Sequence, residues 1–198
     1  MTKIAIVGCG GIGSWLVDRI HWLTVQQQIE LETHGYDDDT VELKNTIYQL
    51  FDAVLDLHEK KAMALDTRYD IEDKRWFFGH VERVLSADMF KEYDLVISAV
   101  DNLQFRKLMY EKCECDWIDL RSEGRTIMAI TKHRANTPEV LASLVDGNLE
   151  ENGSCQLQAD LDAGRIQLGN QIIANIGAQF ILNWSRGDIN PAKFIHLF

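Results

Sequence analysis

Three glycines near the start of the chain have the spacing of a phosphate-binding turn. They run Gly8-x-Gly10-x-x-Gly13 and follow a short apolar stretch rich in β-branched residues. Glycines permit a tight turn and a close approach of the backbone to a phosphate. A helix that begins there adds unpaired N–H groups and a favourable dipole. NAD and FAD enzymes share this turn, so it predicts a bound nucleotide without identifying it.

An acidic turn follows the next predicted strand. Asp37 stands where that strand ends, and a carboxylate there can accept hydrogen bonds from ribose hydroxyls. This holds for NAD and for ATP, so Asp37 alone does not choose between them. The neighbouring Asp38 is typical of a solvated acidic turn.

The polar residues that follow make the pattern more specific. It resembles the ThiF/MoeB family, the adenylating enzymes related to ubiquitin-activating enzymes, in the minimal form of small plasmid and phage ThiF-like proteins. The family pattern is D-x-D-x-V-x-x-S-N-L-x-R-Q, with a lysine twelve residues after the glutamine. The positions that match are Asp37, Asp39, Val41, Asn45, Gln49 and Lys61.

A second family signature lies further along the chain. The family has a strand that ends in T-D-N and is soon followed by an arginine, and this chain has Val100-Asp101-Asn102 with Arg106. The resemblance covers roughly residues 3–131, and the later stretch 169–184 is similar to the closing helix of the family.

The resemblance implies ATP-dependent adenylation of the C-terminal carboxylate of a small, ubiquitin-like protein or a peptide. Catalysis in that reaction is mostly positioning and charge neutralisation. Lys61 would neutralise phosphate oxygens, and Asp101 would hold Mg²⁺, which prefers carboxylate oxygen. Arg106 would either anchor the phosphates or pair with a carboxylate.

The remaining nucleotide contacts implied by the resemblance are of three kinds. Asn45 and Gln49 would donate hydrogen bonds to the phosphates, and Asp37 would hold the ribose. Asn102 and the backbone of Gly11 would help to seat the nucleotide. Cofactor-binding residues are therefore expected at Gly8, Gly10, Gly11, Gly13, Asp37, Asp39, Asn45, Gln49, Lys61, Asp101 and Asn102.

The chain departs from the family pattern at the triphosphate. The arginine before the glutamine is Tyr48 here, and tyrosine brings no positive charge. Losing a charge-assisted contact in a dry site costs about 2–4 kcal/mol of transition-state stabilisation. Lys44 or a partner subunit would supply the missing cation, or the chain is a weak enzyme or only binds nucleotide.

The cysteines also differ from the family. The paired CxxC zinc ligands are missing, and Cys113-x-Cys115 with a distant Cys155 is a poor zinc pattern, so we expect no structural zinc. Cys155 follows Gly153-Ser154. It either takes the activated carboxyl as a thioester, as in some relatives, or is a structural cysteine at a helix start.

Two other functions stay open. One is a nucleotide-binding scaffold that has lost catalysis, which Tyr48 and the absence of the family's N-terminal helix and its arginine suggest. The other is an NAD-dependent oxidoreductase. The spacing of Asn45, Gln49 and Lys61 argues against the oxidoreductase, and no hydride-transfer site is evident.

The elements that must position these residues alternate between strands and helices. The pattern predicts an α/β fold with a Rossmann-like doubly wound sheet, mostly parallel, with antiparallel strands toward the C-terminal half. Strands are predicted at 3–8, 29–36, within 76–84, 94–100, 117–120 and 126–131. Helices are predicted at 12–28, 57–69, 105–113 and 166–184, with a turn or 3₁₀ segment at 45–51. The tail 193–198 adds an edge strand or docks on a partner.

Length and charge limit the remaining possibilities. The 198 residues predict one ThiF-like domain: a nucleotide-binding half over about 1–131, a flexible segment at about 135–153, and a closing helix and tail over about 154–198. The net charge of −11 argues against nucleic acid as a partner. No apolar run reaches the roughly 18 residues that span a membrane, and no leader precedes Lys3. We therefore expect a cytoplasmic protein, and the family resemblance implies a homodimer.

Overall fold

A seven-stranded sheet forms the centre of the molecule in the computed structural model. The structure describes residues 1–26, 28–70, 75–123, 126–138, 140–141, 168–188, 190 and 193–196. Within these ranges the strands follow the spatial order β3-β2-β1-β4-β5-β6-β7. They are β1 (Thr2–Val7), β2 (Leu31–Tyr36), β3 (Phe77–His80), β4 (Leu95–Ser98), β5 (Asp116–Glu123), β6 (Thr126–Thr131) and β7 (Lys193–His196).

The direction of the strands changes along the sheet. The strands β1 to β5 run parallel to one another, whereas β6 is antiparallel to β5 and β7 is antiparallel to β6. The predicted fold class is therefore confirmed, including the antiparallel strands toward the C-terminal half. The prediction that the tail adds an edge strand is also confirmed, for residues 193–196.

Helices cover both faces of the sheet. They are α1 (Gly13–Val25), α2 (Lys61–Tyr69), α3 (Leu103–Lys112) and α4 (Gly169–Ser185). One buried cluster contains Leu16 of α1, Leu65 of α2 and Ile181 of α4, packed with apolar residues of the strands. The other contains Met109 of α3 together with Phe90. Apolar strand residues are thus buried from both sides, as the doubly wound arrangement requires.

The start of α2 differs from the prediction. The apolar pattern predicted a helix over 57–69, but the helix begins at Lys61. Lys60 is extended and forms a β-bridge with Thr40, and His58 has a φ of 73°. Neither conformation is helical, so this pairing overrides the local helical pattern and places Lys61 at the first turn of α2.

The long helix near the C-terminus packs closely on the sheet. A methyl group added to Gly177 of α4 would lie 2.5 Å from a side-chain carbon of Leu120, so the glycine is what permits the contact. The predicted helix 166–184 is observed as Gly169–Ser185, while residues 166–167 lie outside the described ranges.

Two further expectations concern the chain as a whole. Within the described residues, no helix combines the length and the apolar character that crossing a membrane requires. Most of the segment predicted to be flexible lies outside the described residues, because only 135–138 and 140–141 of it are covered. The division of the chain at about 131 and 154 stays a prediction.

Candidate nucleotide-binding site

The predicted site residues follow three adjacent parallel strands. β1 lies between β2 and β4, and the three strands are parallel. The segments that follow these strands therefore lie together at their carboxyl ends. They are the glycine turn after β1, the acidic turn after β2 and the segment Val100–Asn102 after β4. Connections from β1 and β4 leave to opposite faces there, and ligands of doubly wound sheets bind at such a point. The topology therefore brings the predicted segments together.

The glycine turn requires glycine at two positions. Gly8 has a φ of +93°, a conformation that other residues adopt only with strain. A Cβ on Gly13 would lie 1.9 Å from the carbonyl oxygen of Gly8, so any side chain there would push the turn apart. Gly11 is buried within the turn. The turn leads directly into α1, whose first N–H groups can bind an anion.

Asp37 holds the acidic turn against the glycine turn. Its two carboxylate oxygens accept hydrogen bonds from the backbone N–H of Cys9 at 2.7 Å and of Asp39 at 2.9 Å. Burial raises the pKa of Asp37, although the nearby Lys61 ammonium and the two amide donors act in the opposite direction. Asp37 thus fixes the distance between the two turns.

Lys61 lies in the middle of the candidate site. Its side chain is 9% exposed, and its ammonium donates to Oδ2 of Asp39 at 2.9 Å. Burial alone would lower the pKa of Lys61, but the hydrogen bond to Asp39 and the charges of Asp37 and Asp39 outweigh it and raise the pKa. The lysine is therefore a fixed positive charge. Its neighbour Lys60 is exposed and donates to the carbonyl of Asp38.

Lys61 and Gln49 both face the glycine turn. A Cβ built on Gly10 would lie 3.8 Å from the Lys61 ammonium and 3.7 Å from Oε1 of Gln49. Gln49 is 8% exposed, and its Nε2 lies 3.9 Å from the same Cβ position. Nε2 is the atom of this amide that can donate a hydrogen bond to a phosphate oxygen. The space over Gly10 is therefore bordered by a cation and an amide.

Asn45 has a structural task in the short 3₁₀ helix Leu43–Ile47. Its Oδ1 accepts from the N–H of Glu42 at 2.9 Å, and its Nδ2 lies 3.5 Å from the Tyr48 hydroxyl. The carbonyl of Tyr48 accepts from the indole N–H of Trp15 at 3.2 Å. These contacts fix the loop and leave a half-buried tyrosine where the family has an arginine.

Lys44 is paired outside this cluster. Its ammonium lies 2.8 Å from a carboxylate oxygen of Glu42, and both side chains are mostly exposed. The contact with Glu42 raises the pKa of Lys44. A bound triphosphate would have to compete with Glu42 for this lysine.

Asp101 and Asn102 follow β4 at the same carboxyl ends of the parallel strands. Asn102 caps α3, because its Oδ1 accepts from the N–H of Gln104 at 2.8 Å and of Phe105 at 3.2 Å. Asp101 is exposed, and among the described residues its carboxylate makes no hydrogen bond or ion pair. The carboxylate is thus available to a ligand or a metal ion.

Arg106 supports the segment that carries Asp101. It donates to the carbonyl of Val100 at 2.7 Å, and its Nε lies 3.6 Å from Asp119. Of the two roles that the sequence left open, the structure shows the pairing with a carboxylate. Arg106 is 4% exposed, so it lies within the protein rather than at its surface.

A buried charged group around Asp119 was not anticipated. Arg121, which is 1% exposed, donates through Nε to Asp119 at 2.8 Å, and the Tyr110 hydroxyl donates to the same carboxylate at 3.3 Å. Burial and the Asp119 charge raise the pKa of Tyr110. The signal in the sequence was Asp119 within the predicted strand 117–120, with Arg121 directly after that strand. Cys155, by contrast, lies outside the described residues.

The fold and the glycine turn define the class of the protein: it is a doubly wound α/β protein with the turn of nucleotide-binding folds. The family follows from the sequence. A model of the ThiF family matches residues 1–193, so the chain belongs to the ThiF family. No curated protein matches the sequence significantly.

Solved structures share the fold at low sequence identity. E. coli MccB crystallised with succinimide is 12% identical, with a TM-score of 0.71 over 98% of this chain. E. coli MccB with AMPCPP and MccA is 13% identical, with a TM-score of 0.70 over 98% of this chain. PaaA is 18% identical, with a TM-score of 0.68 over 100% of this chain. The chain spans only 60–61% of the length of these proteins.

Proposed function

We propose that the chain is an adenylyltransferase that uses ATP to activate the C-terminal carboxylate of a peptide or small protein. The observation that carries the proposal is the space over Gly10, bordered by the buried Lys61 ammonium and the side-chain amide of Gln49. A fixed cation and a hydrogen-bonding amide at a glycine turn suit phosphate oxygens.

The related structures support the choice of substrates. MccB has been crystallised with ATP, and with AMPCPP together with MccA. N-formylated MccA is bound in another structure, where MccB is described as a microcin C7 biosynthetic enzyme. These are properties of MccB. The family membership and the shared fold make the same pair of substrates, a nucleotide and a peptide, the best candidates for this chain.

The reaction would proceed by attack of a carboxylate oxygen of the acceptor on the α-phosphorus of ATP. A C–O–P bond forms, the bond from the α-phosphorus to the bridging oxygen breaks, and pyrophosphate leaves. Lys61 would stabilise the charge that develops on the phosphate oxygens, and Gln49 would donate its amide to them. Asp37, which clamps the two turns, would place the ribose.

Asp101 would hold the magnesium ion that this chemistry uses. A single exposed carboxylate fits Mg²⁺, which is commonly bound by one or two carboxylates together with substrate phosphates and water. The ion would supply further neutralisation of phosphate charge. The side-chain oxygen of Asn102 already caps α3, so the contribution of Asn102 to nucleotide binding would come from its amide nitrogen.

Pyrophosphate–ATP exchange tests the proposal directly. The purified chain is incubated with ATP, Mg²⁺, labelled pyrophosphate and a panel of peptides with free C-terminal carboxylates, including peptides that end in Gly-Gly. We expect exchange with at least one peptide, and its loss in Asp101→Ala. The Asp88→Ala variant, which changes an exposed carboxylate elsewhere on the surface, should keep full exchange.

The second candidate is a nucleotide-binding scaffold without catalysis. Tyr48 favours it, because the position that carries a cation in the family is filled here by an uncharged ring whose hydroxyl lies against the Asn45 amide. ATP binding with no exchange for any acceptor would support the scaffold and overturn the enzyme. The homodimer, the cytoplasmic location and a thioester on Cys155 stay predictions.

A further inference from the structure

Two cysteines lie in contact at the end of the molecule opposite the glycine turn. Cys113 follows α3, Cys115 directly precedes β5, and their sulfur atoms are 3.3 Å apart. The site described above lies at the carboxyl ends of the parallel strands, whereas this pair lies at the amino end of β5. The proposed adenylation does not use either thiol.

The local backbone explains why the two sulfur atoms meet. Cys113 has φ −74° and ψ 116°, so the chain is extended after the helix. In an extended chain, side chains two positions apart leave on the same side. The intervening Glu114 is exposed, which leaves the two thiols facing each other.

The two thiols are not equivalent. Cys113 is 7% exposed, whereas Cys115 is only partly buried. The contact with the Cys113 sulfur lowers the pKa of Cys115, and the ammonium of Lys132 adds to this effect. The same contact, together with burial, raises the pKa of Cys113. An accessible sulfur biased toward thiolate beside a buried thiol resembles an attacking and a resolving cysteine.

A cavity of about 330 Å³ adjoins the pair. Asp116, which directly follows Cys115, lines it, and so does Lys132, which donates to the carbonyl of Cys115 at 2.9 Å. His133 lines the same cavity. Asp116 and Asp188 offset the charge of Lys132 in this lining, so the cavity offers room beside Cys115 to a small molecule without selecting an anion.

We propose that Cys113 and Cys115 form a reversible disulfide by exchange with a small disulfide such as oxidised glutathione. The Cys115 thiolate attacks one sulfur of that disulfide, and a mixed disulfide forms while one glutathione thiolate leaves and takes up the proton of Cys113. Cys113 then attacks the Cys115 sulfur, the mixed disulfide breaks, and the second glutathione leaves as a thiolate. The protein loses two electrons, and the small disulfide is reduced to two thiols.

The remaining movement is small. The sulfur atoms must approach from 3.3 Å to the bonded distance of about 2.05 Å. Cys9 does not compete for the oxidant, because it is 0% exposed and its burial raises the pKa of its thiol.

Peptide mapping isolates this pair from the other cysteines. Trypsin cleaves after Lys112 and Arg121, and the fragment 113–121 contains Cys113 and Cys115 and no other cysteine. The wild-type chain is equilibrated in glutathione buffers of increasing oxidation, quenched with acid, alkylated and digested. We expect the fragment to lose two hydrogen atoms in a fraction that rises with oxidised glutathione and returns to zero with dithiothreitol.

Two serine variants test the order of the steps. Cys113→Ser should stop at the mixed disulfide of Cys115 with glutathione, and Cys115→Ser should react at least about tenfold more slowly because its remaining thiol is buried. The proposal is overturned if the wild-type fragment stays a dithiol where Cys113→Ser is glutathionylated, or if Cys115→Ser reacts as fast as Cys113→Ser.

A measurement on the wild-type chain covers the case in which a variant does not fold. Phenylarsine oxide bridges adjacent thiols and should protect fragment 113–121 from alkylation at one arsenic per chain, whereas absence of protection would contradict the contact. None of these measurements contains ATP or a peptide acceptor, so their failure leaves the proposed adenylation intact.

Discussion

At the scale of single residues, the candidate site depends on Lys61. Its neighbour Lys60 has the same charge and differs mainly in position: Lys61 is buried against Asp39 beside the glycine turn, and Lys60 is exposed. The two lysines therefore form a matched pair in which one substitution should affect nucleotide binding and the other should not.

Replacing Lys61 by Met should lower the pyrophosphate–ATP exchange rate strongly and the affinity for ATP to a smaller degree. Loss of a preorganised, charge-assisted contact in a partly dry site costs about 10²–10³-fold in catalysis, and we expect a comparable fall in exchange rate with a smaller fall in affinity. Calorimetric titration with Mg·ATP measures the affinity. Lys60→Met is the control and should bind ATP as the wild type does. Equal losses in both variants would show that charge, rather than position, matters.

A substitution at Tyr48 should raise the exchange rate, whereas the substitution at Lys61 should lower it. If the missing cation limits the reaction, Tyr48→Arg should raise the exchange rate by about tenfold or more, since a cation there would face the triphosphate. The loop should tolerate the change, because Trp15 holds the backbone carbonyl of residue 48 and not its ring. Tyr48→Phe removes the hydroxyl without adding charge and should stay near the wild-type rate. No gain for arginine over phenylalanine would indicate that a partner or Lys44 already supplies the cation.

At the scale of elements, the segment after β4 joins the candidate site to α3. Asn102 caps α3, and Arg106, one turn into that helix, holds the carbonyl of Val100. Asp101 lies between these two fixed points. Its position therefore depends on how well the first turn of α3 is formed.

Removing the cap should destabilise the protein in the absence of any ligand. Asn102→Ala leaves two N–H groups of α3 without their acceptor and should cost about 1 kcal/mol of unfolding free energy. For a chain of this size that corresponds to about 2–4 °C in the melting temperature. Urea unfolding and thermal scans measure both quantities. Asn102→Ser keeps a capping oxygen and should recover most of the loss, whereas equal losses in both variants would mean that the cap contributes nothing.

The elements themselves were largely predictable, and the contacts between them were not. Short apolar runs that end at Gly8 and Asp101 identified β1 and β4, and the stretch 29–36 before Asp37 identified β2. The start of α2 was wrong because a bridge between Thr40 and Lys60, which are twenty positions apart, replaces the first helical turn. The local apolar pattern does not predict such a pairing.

The same limit applies to the candidate site. The spacing of Gln49 and Lys61 identified both residues, since the family pattern fixes that interval. The hydrogen bond from the Cys9 N–H to Asp37 depends on how two turns approach each other in space. The spacing of residues along the sequence does not predict that approach. The charged group around Asp119 and Arg121 was missed because charged residues in an apolar strand are usually read as its exposed face.

At the scale of the whole molecule, the net charge of −11 opposes the compact state. The described ion pairs at the surface are few and exposed, and such pairs contribute little. Long-range repulsion between like charges should therefore be the main electrostatic term that salt changes.

The melting temperature should rise with ionic strength. Screening at 0.15 M salt reduces the Debye length to about 8 Å, so repulsion across the surface is largely removed. We expect a gain of about 2–4 °C between low salt and 0.15 M NaCl, which corresponds to about 1 kcal/mol. KCl should act as NaCl does, and sucrose of equal osmolality should have a smaller effect. A melting temperature that falls with salt would mean that attractive ion pairs dominate.

The order of the strands also determines how long β1 lacks one of its pairing partners while the chain is synthesised. β1 pairs with β4, whose residues come 91 positions later, as in the contact between Lys3 and Asp94. At about 5–20 residues per second, the ribosome needs on the order of 5–20 s to make that interval. During this time one side of β1 has no strand to pair with. The strand contains Ile4, Ile6 and Val7, which are at most 5% exposed in the folded chain. The nascent chain should therefore bind chaperones most strongly at β1, until Leu95–Ser98 leaves the exit tunnel.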